Sequence, residues 1–188
     1  MTPPELFRRM VAALEDAAIP YMLTGSFASS YHGTPRASQD IDFVVAPSRD
    51  QLESFVRLLP ESEFYVDLEA ALHALAHQLQ FNVVDLATGW KIDLIIRKSR
   101  PFSLEEFARR EPVDFHGLRL FIARAEDIVV SKLEWARIGS SQRQLEDAAG
   151  ILRVRGGDLD REYMEGWIQE FGLDAEYRKA RELAGGDI

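Results

Sequence analysis

The chain has 188 residues, 46% of them hydrophobic, no cysteine and a formal net charge of −9. That is enough apolar material for one substantial core or a domain with an appended bundle, and it excludes disulfides and thiolate metal sites, which fits a cytoplasmic protein. With no apolar run long enough to span a bilayer and no basic-then-apolar start, no membrane partner is expected, and the acidity makes a poor non-specific nucleic-acid binder.

Thr2-Pro3-Pro4-Glu5 reads as a helix start, and Leu6, Met10, Ala13 and Leu14 give that helix an apolar face up to about Ala18. Tyr21-Met22-Leu23-Thr24 then reads as a short strand. Gly25 follows, where a sharp strand-to-helix turn needs a residue without Cβ. Ser26 is expected to cap a short helix running to about Tyr31 and stopping at Gly33. The free N–H groups of a helix start attract anions, so a triphosphate could lie there, gripped by the Ser26 hydroxyl and backbone N–H groups. Taken alone, Gly-Ser is also a common turn.

Asp40-Ile41-Asp42-Phe43-Val44-Val45 alternates and then turns wholly apolar, as a buried strand does. Residues two apart on a strand face the same way, with Cα atoms roughly 6–7 Å apart. Asp40 and Asp42 can therefore converge on a cation, and without one they repel each other. Hard oxygen ligands completed by phosphate describe Mg²⁺.

Ser48-Arg49-Asp50-Gln51 is a capping box for a helix built on Leu52, Phe55, Val56 and Leu59. Residues 68–78 form an Ala-rich helical stretch. Its His73 and His77 are four apart but lack the Glu of a zinc-binding His-Glu-x-x-His, so they read as exposed histidines. Residues 81–86 and 90–96 read as paired strands. Within the second, Asp93 interrupts an apolar run, where a buried acid needs a reason; it would be a metal ligand or the general base for an incoming hydroxyl. Asp85 competes for that role, although it sits beside Ala87-Thr88-Gly89, a turn where Asp is ordinary. Basic residues gather at Arg97, Lys98 and Arg100 and again at Arg109 and Arg110, which reads as a solvated rim or as a hold for an RNA end or triphosphate tail.

Ser103-Leu104-Glu105-Glu106 is expected to cap a helix to Arg110. Residues 113–122 read as a hairpin turning at His116-Gly117. From Ala125 the period is helical, with stops near Gly139, Gly156 and Gly172. The fold class expected is α+β: a mixed β-sheet flanked by helices over residues 1–124, followed by a helical region, 125–188, packed against it.

Gly25-Ser26, a spacer, Asp40-Ile41-Asp42 and a later Asp93 together resemble the nucleotidyltransferase superfamily built on the polymerase-beta-like catalytic domain. Arg36-Ala37-Ser38-Gln39-Asp40-Ile41-Asp42 is similar to the form found in minimal nucleotidyltransferases and the AbiEii-like, toxin–antitoxin branch. Downstream, Lys132 and Arg143-Gln144-Leu145-Glu146-Asp147 resemble helical motifs of that branch. The resemblance implies that Gly25, Ser26, Arg36, Lys132 and Asp147 serve the nucleotide, and that Asp40, Asp42 and Asp93 hold two Mg²⁺ ions and carry catalysis. Lys132 shares a predicted helix side with Ile128, Trp135 and Ala136, so its stem could equally snorkel. Asp147 could equally be an acid favoured by a helix dipole, and Arg36 could neutralise phosphate or tether its loop.

The activity implied is Mg²⁺-dependent transfer of NMP from an NTP such as ATP to an acceptor hydroxyl on RNA, a protein or a small molecule. A cognate toxin or antitoxin would be the partner in a toxin–antitoxin context. The alternative is an inactive nucleotide- or partner-binding protein of the same fold. No His-Asp doublet supports a phosphohydrolase.

Overall fold

A computed structural model describes residues 3–186. The helix start expected at Thr2 therefore falls partly outside the described residues. The elements in chain order are α1 (Pro3–Asp16), β1 (Tyr21–Thr24), α2 (Gly25–His32), β2 (Asp40–Val45), α3 (Arg49–Leu58), β3 (Phe64–Val66), α4 (Leu68–His77), β4 (Gln80–Asp85), β5 (Lys91–Ile96), α5 (Pro101–Arg109), β6 (Glu111–Phe115), β7 (Leu118–Ile122), α6 (Ala125–Gly139), α7 (Gln142–Arg155), α8 (Arg161–Glu170) and α9 (Asp174–Ala184).

Among the described residues two compact units result, one of 3–23 with 39–122, the other of 24–38 with 123–186. The first holds a 7-stranded mixed sheet in the order β3-β4-β5-β2-β1-β7-β6. β2 and β5 run parallel, as do β1 and β7, while β3/β4, β4/β5 and β6/β7 are antiparallel. Alternation along the strands gives the sheet one apolar face. Ile41, Phe43, Val45, Ile92, Leu94, Ile96, Phe81 and Val83 are all buried. α1 covers this face with Leu6, Phe7, Met10 and Leu14, and the Phe7 ring lies 6.3 Å from Phe43 and 5.3 Å from Phe115.

Local signals explain most element ends. Ser48 caps α3 in a full capping box with Gln51. The β6–β7 hairpin turns on His116 at φ 53° and Gly117 at φ 77°, the left-handed pair that matches strand twist. Two caps differ from expectation. The helix expected to start at Ser103 begins at Pro101 with Arg100 as its cap residue, because proline is pre-set for the first helical position. Ser26 lies inside the first turn of α2, and the cap position belongs to Thr24.

The second unit is helical. α2 packs on α6 and α7, α8 on α6, and α9 on α7. α2 ends where Gly33 meets α7: a Cβ there would sit 2.6 Å from the Ile151 amide nitrogen and 2.7 Å from the Gly150 carbonyl carbon. Such distances admit only glycine. His32 secures the same end, its buried ring donating from Nε2 to the Ala123 carbonyl at 2.8 Å. At the start of α6, Glu126 accepts from the Asp160 amide at 3.0 Å and Asp127 from the Tyr163 hydroxyl at 2.5 Å, which fixes α8.

Candidate active site

In the sheet unit the acids are placed by strand register. β2 and β5 are in step along their length, with Asp40 opposite Lys91 and Asp42 opposite Asp93. Because side chains alternate, Asp40, Asp42, Lys91 and Asp93 share one face, away from Ile41, Phe43, Ile92 and Leu94. β4 adds Asn82 opposite Asp93. Asn82 Nδ2 donates to Asp93 Oδ1 at 2.9 Å, and Lys91 Nζ lies 3.0 Å from Asp93 Oδ2. The hydrogen bond to Asp93 raises the Lys91 pKa; partial burial opposes this, and the charges of Asp93, Asp40 and Asp42 add to the rise.

Asp85 belongs to the other side. It pairs with Phe64, three positions along β4 from Asn82, so its side chain enters the apolar face. It is fully buried and accepts from the Thr88 hydroxyl.

The donor set of the polar face fits a hard divalent cation in chemistry: carboxylate oxygens from adjacent strands, with nothing soft among them. As the side chains lie, however, no three His, Asp or Glu groups gather closely enough to hold a metal among the described residues. Both oxygens of Asp93 are engaged by Asn82 and Lys91.

In the helical unit a second polar chain forms. Gly25 takes φ 63°, the left-handed value that favours glycine, and turns the backbone into α2. Arg36, in the segment after α2, donates from Nη2 to Ser26 Oγ at 2.5 Å. Its fork also grips Asp147 on α7, Nε to Oδ1 at 2.6 Å and Nη2 to Oδ2 at 2.9 Å. Lys132 Nζ on α6 donates to Asp147 Oδ2 at 2.7 Å. Burial alone would push the Asp147 carboxyl up; the hydrogen bonds and charges of Arg36 and Lys132 outweigh it and hold the group below the usual carboxylate range. Two cations thus converge on one carboxylate beside the Ser26 turn.

No protein-family model matches the sequence, and no curated protein does. Solved structures do match in shape. The antibiotic-resistance factor ANT(2'')-Ia is similar at a TM-score of 0.55 and 12% identity, over 95% of this chain and 95% of that one. An antigenic nucleotidyltransferase-like protein from Paracoccidioides brasiliensis is similar at 0.55 and 15%, over 95% and 94%. The lincosamide antibiotic adenylyltransferase LnuA, lincomycin-bound, is similar at 0.54 and 10%, over 80% and 96%. The chain has the nucleotidyltransferase fold.

On this nucleotidyltransferase fold the residues singled out from sequence fall into two groups. Asp40, Asp42 and Asp93 share the polar face of the sheet. Ser26, Arg36, Lys132 and Asp147 form one hydrogen-bonded chain in the helical unit. Lys132 is buried and its ammonium is committed to Asp147, so it does not snorkel. Trp135, expected on the same helix side, is instead 56% exposed. Sequence reasoning missed Lys91 and Asn82. Lys91 was within reach, since it stands two residues before Asp93 on an alternating strand, whereas Asn82 needs the register of β4.

His73 and His77 stack at the surface with centroids 4.3 Å apart. Among the described residues, no helix is long and apolar enough to cross a membrane.

Proposed function

We propose that this chain transfers a nucleotidyl group from a nucleoside triphosphate to an acceptor hydroxyl. The observation that carries this is the pairing of Asp42 with Asp93 across parallel strands, with Asp40 on the same face. Three carboxylates so placed present hard oxygen donors to a divalent cation from two adjacent strands. A bound divalent cation, Mg²⁺ by its preference for hard oxygen and phosphate, would be held by Asp40, Asp42 and Asp93 and would neutralise charge at the α-phosphate, two ions being the complement implied by the motif resemblance.

The chain's own residues do the rest. Asn82 orients Asp93 through its amide. Asp93 takes the acceptor's proton as the acceptor oxygen attacks the α-phosphorus. The bond from that phosphorus to the bridging oxygen breaks, and pyrophosphate leaves with the electron pair. Gly25 and Ser26 receive phosphate at the start of α2, where backbone N–H groups lack intrahelical partners. Arg36, held by Asp147 and Lys132, supports that turn through its hydrogen bond to Ser26.

The acceptor classes are an RNA 3′ end, a protein hydroxyl and a small-molecule hydroxyl. A net charge of −9 works against diffuse binding to polyanions. The small-molecule class is therefore tested first, with ATP as first donor. A toxin–antitoxin context with a cognate protein partner rests on the AbiEii-like motifs alone, as does a cytoplasmic location on composition. The domain reading follows: catalysis belongs to the sheet region and the later helices support the nucleotide.

Each labelled NTP, incubated with Mg²⁺ and with hydroxylated antibiotics, total tRNA or total cell protein, tests the reading by label transfer and pyrophosphate release. Asp40→Asn and Asp42→Asn should lose both. Wild-type rates in both variants would overturn the assignment. A second reading, a nucleotide-binding protein that has lost transfer, is favoured by the lack of three gathered metal-binding groups among the described residues. It expects nucleotide binding with no pyrophosphate release by wild-type protein.

A further inference from the structure

Lys91 places a positive charge on the same face as Asp40, Asp42 and Asp93. It stands opposite Asp40, and its ammonium lies 3.0 Å from Asp93 Oδ2. The charges of Asp40 and Asp42 act on it as well. A lysine here brings positive charge to the same acids that a bound divalent cation would use. Its side chain is 40% exposed, and a four-carbon stem lets the ammonium swing into water without moving the strand. Asp93 would keep its orientation, because Asn82 holds Oδ1 while Lys91 engages Oδ2.

Resting on the metal-site reading above, we propose that Lys91 is an internal counter-cation that competes with the divalent ion for the Asp40–Asp42–Asp93 face. It neutralises the acids when no ion is bound and withdraws from Asp93 on loading. It thereby weakens metal affinity and keeps the carboxylates from repelling one another in the empty state.

The test is Mn²⁺ binding in the absence of nucleotide, read from the electron paramagnetic resonance signal of free Mn²⁺. The proteins are wild type, Lys91→Met, Lys91→Arg, Asp42→Asn and the Lys91→Met/Asp42→Asn double variant. Removing a positive charge about 4–5 Å from the ion should tighten binding on the order of tenfold in Lys91→Met. Lys91→Arg, which keeps the charge, should stay near wild type. Asp42→Asn should weaken binding in either background. A melting curve on each variant confirms folding.

Detectable binding by Lys91→Met but not by wild type, abolished in the double variant, supports the proposal in its strongest form. Equal Mn²⁺ affinity in wild type and Lys91→Met, with loss in Asp42→Asn, would overturn the role of Lys91 and leave the metal site standing. Lys91 would also be reassigned if Lys91→Met left Mn²⁺ affinity unchanged and raised the KM for NTP, the mark of a phosphate contact. If neither wild type nor Lys91→Met bound Mn²⁺, both the metal site and the proposal would fall.

Discussion

Arg36 grips both carboxylate oxygens of Asp147, Nε at 2.6 Å and Nη2 at 2.9 Å, across 111 positions of chain. A planar fork on a planar carboxylate is the strongest form of ion pair available to side chains. Lys132 shares one of the same oxygens, so a single acid anchors α6, α7 and the segment that follows α2.

Asp147→Asn should therefore destabilise the fold by about 3–5 kcal/mol at neutral pH, because two cations lose the carboxylate they share. The pH dependence has a definite sign. The folded carboxyl titrates below its ordinary value of 3.8, so its contribution is complete above that value and is lost as pH falls through the folded one. Denaturant melts of wild type and Asp147→Asn should differ most near pH 7 and converge on acidification below the ordinary value.

The two acids opening β2 should be dispensable for folding. Asp40 is exposed and Asp42 only partly buried. Neither side chain belongs to the buried core, so Asn at either position should leave stability within about 0.5 kcal/mol of wild type. Transfer rate should fall by about 10²–10³-fold or more, the scale of losing one electrostatic stabiliser. Single-turnover label transfer beside a thermal melt separates the two effects.

Asp85 and Asp93 lie on opposite sides of the sheet and should fail in opposite ways. Asp85→Ala removes a buried acceptor of the Thr88 hydroxyl. It should cost about 1–3 kcal/mol of stability and leave the rate of the folded fraction unchanged. Asp93→Asn should retain most stability and lose transfer. The ratio of activity to folded protein, measured for both variants, decides which acid serves the reaction.

Gly33→Ala should destabilise by about 1–3 kcal/mol, since the new methyl meets backbone atoms of α7 that cannot yield cheaply. Gly150→Ala should be close to neutral. Its methyl would meet Thr34 at 3.2 Å, but alanine inside a helix recovers about 1 kcal/mol. Equal losses in the two variants would contradict the packing described.

Much of the fold was legible where the signal is local. Ser48 and Gln51 announce their helix, His116-Gly117 announces its hairpin, and the alternation at Asp40 and Lys91 announces two strands. The strand Phe64–Val66 was not seen, because three residues at a sheet edge carry too short an alternation. Ser26 was misread as a cap because Thr24, still in the strand, already holds that position. The grouping of Thr24–Ser38 with the later helices leaves no local mark, since Gly33 and Arg36 find their partners more than a hundred residues away. The same limit hid Asn82: its choice of face is visible only once β4 and β5 are aligned.

The in-step pairing of β2 and β5 ties chemistry to the length of what joins them. Side chains repeat every two residues, so displacing β5 by one position would bring Leu94 beside Asp42 and bury Asp93 among aliphatic groups. The strands between them can drift in composition, but an odd insertion that propagates into β5 turns the strand inside out. Loss of the acidic cluster by that route would be abrupt, and the lineage of such a sheet should record insertions chiefly where bulges or loops absorb them.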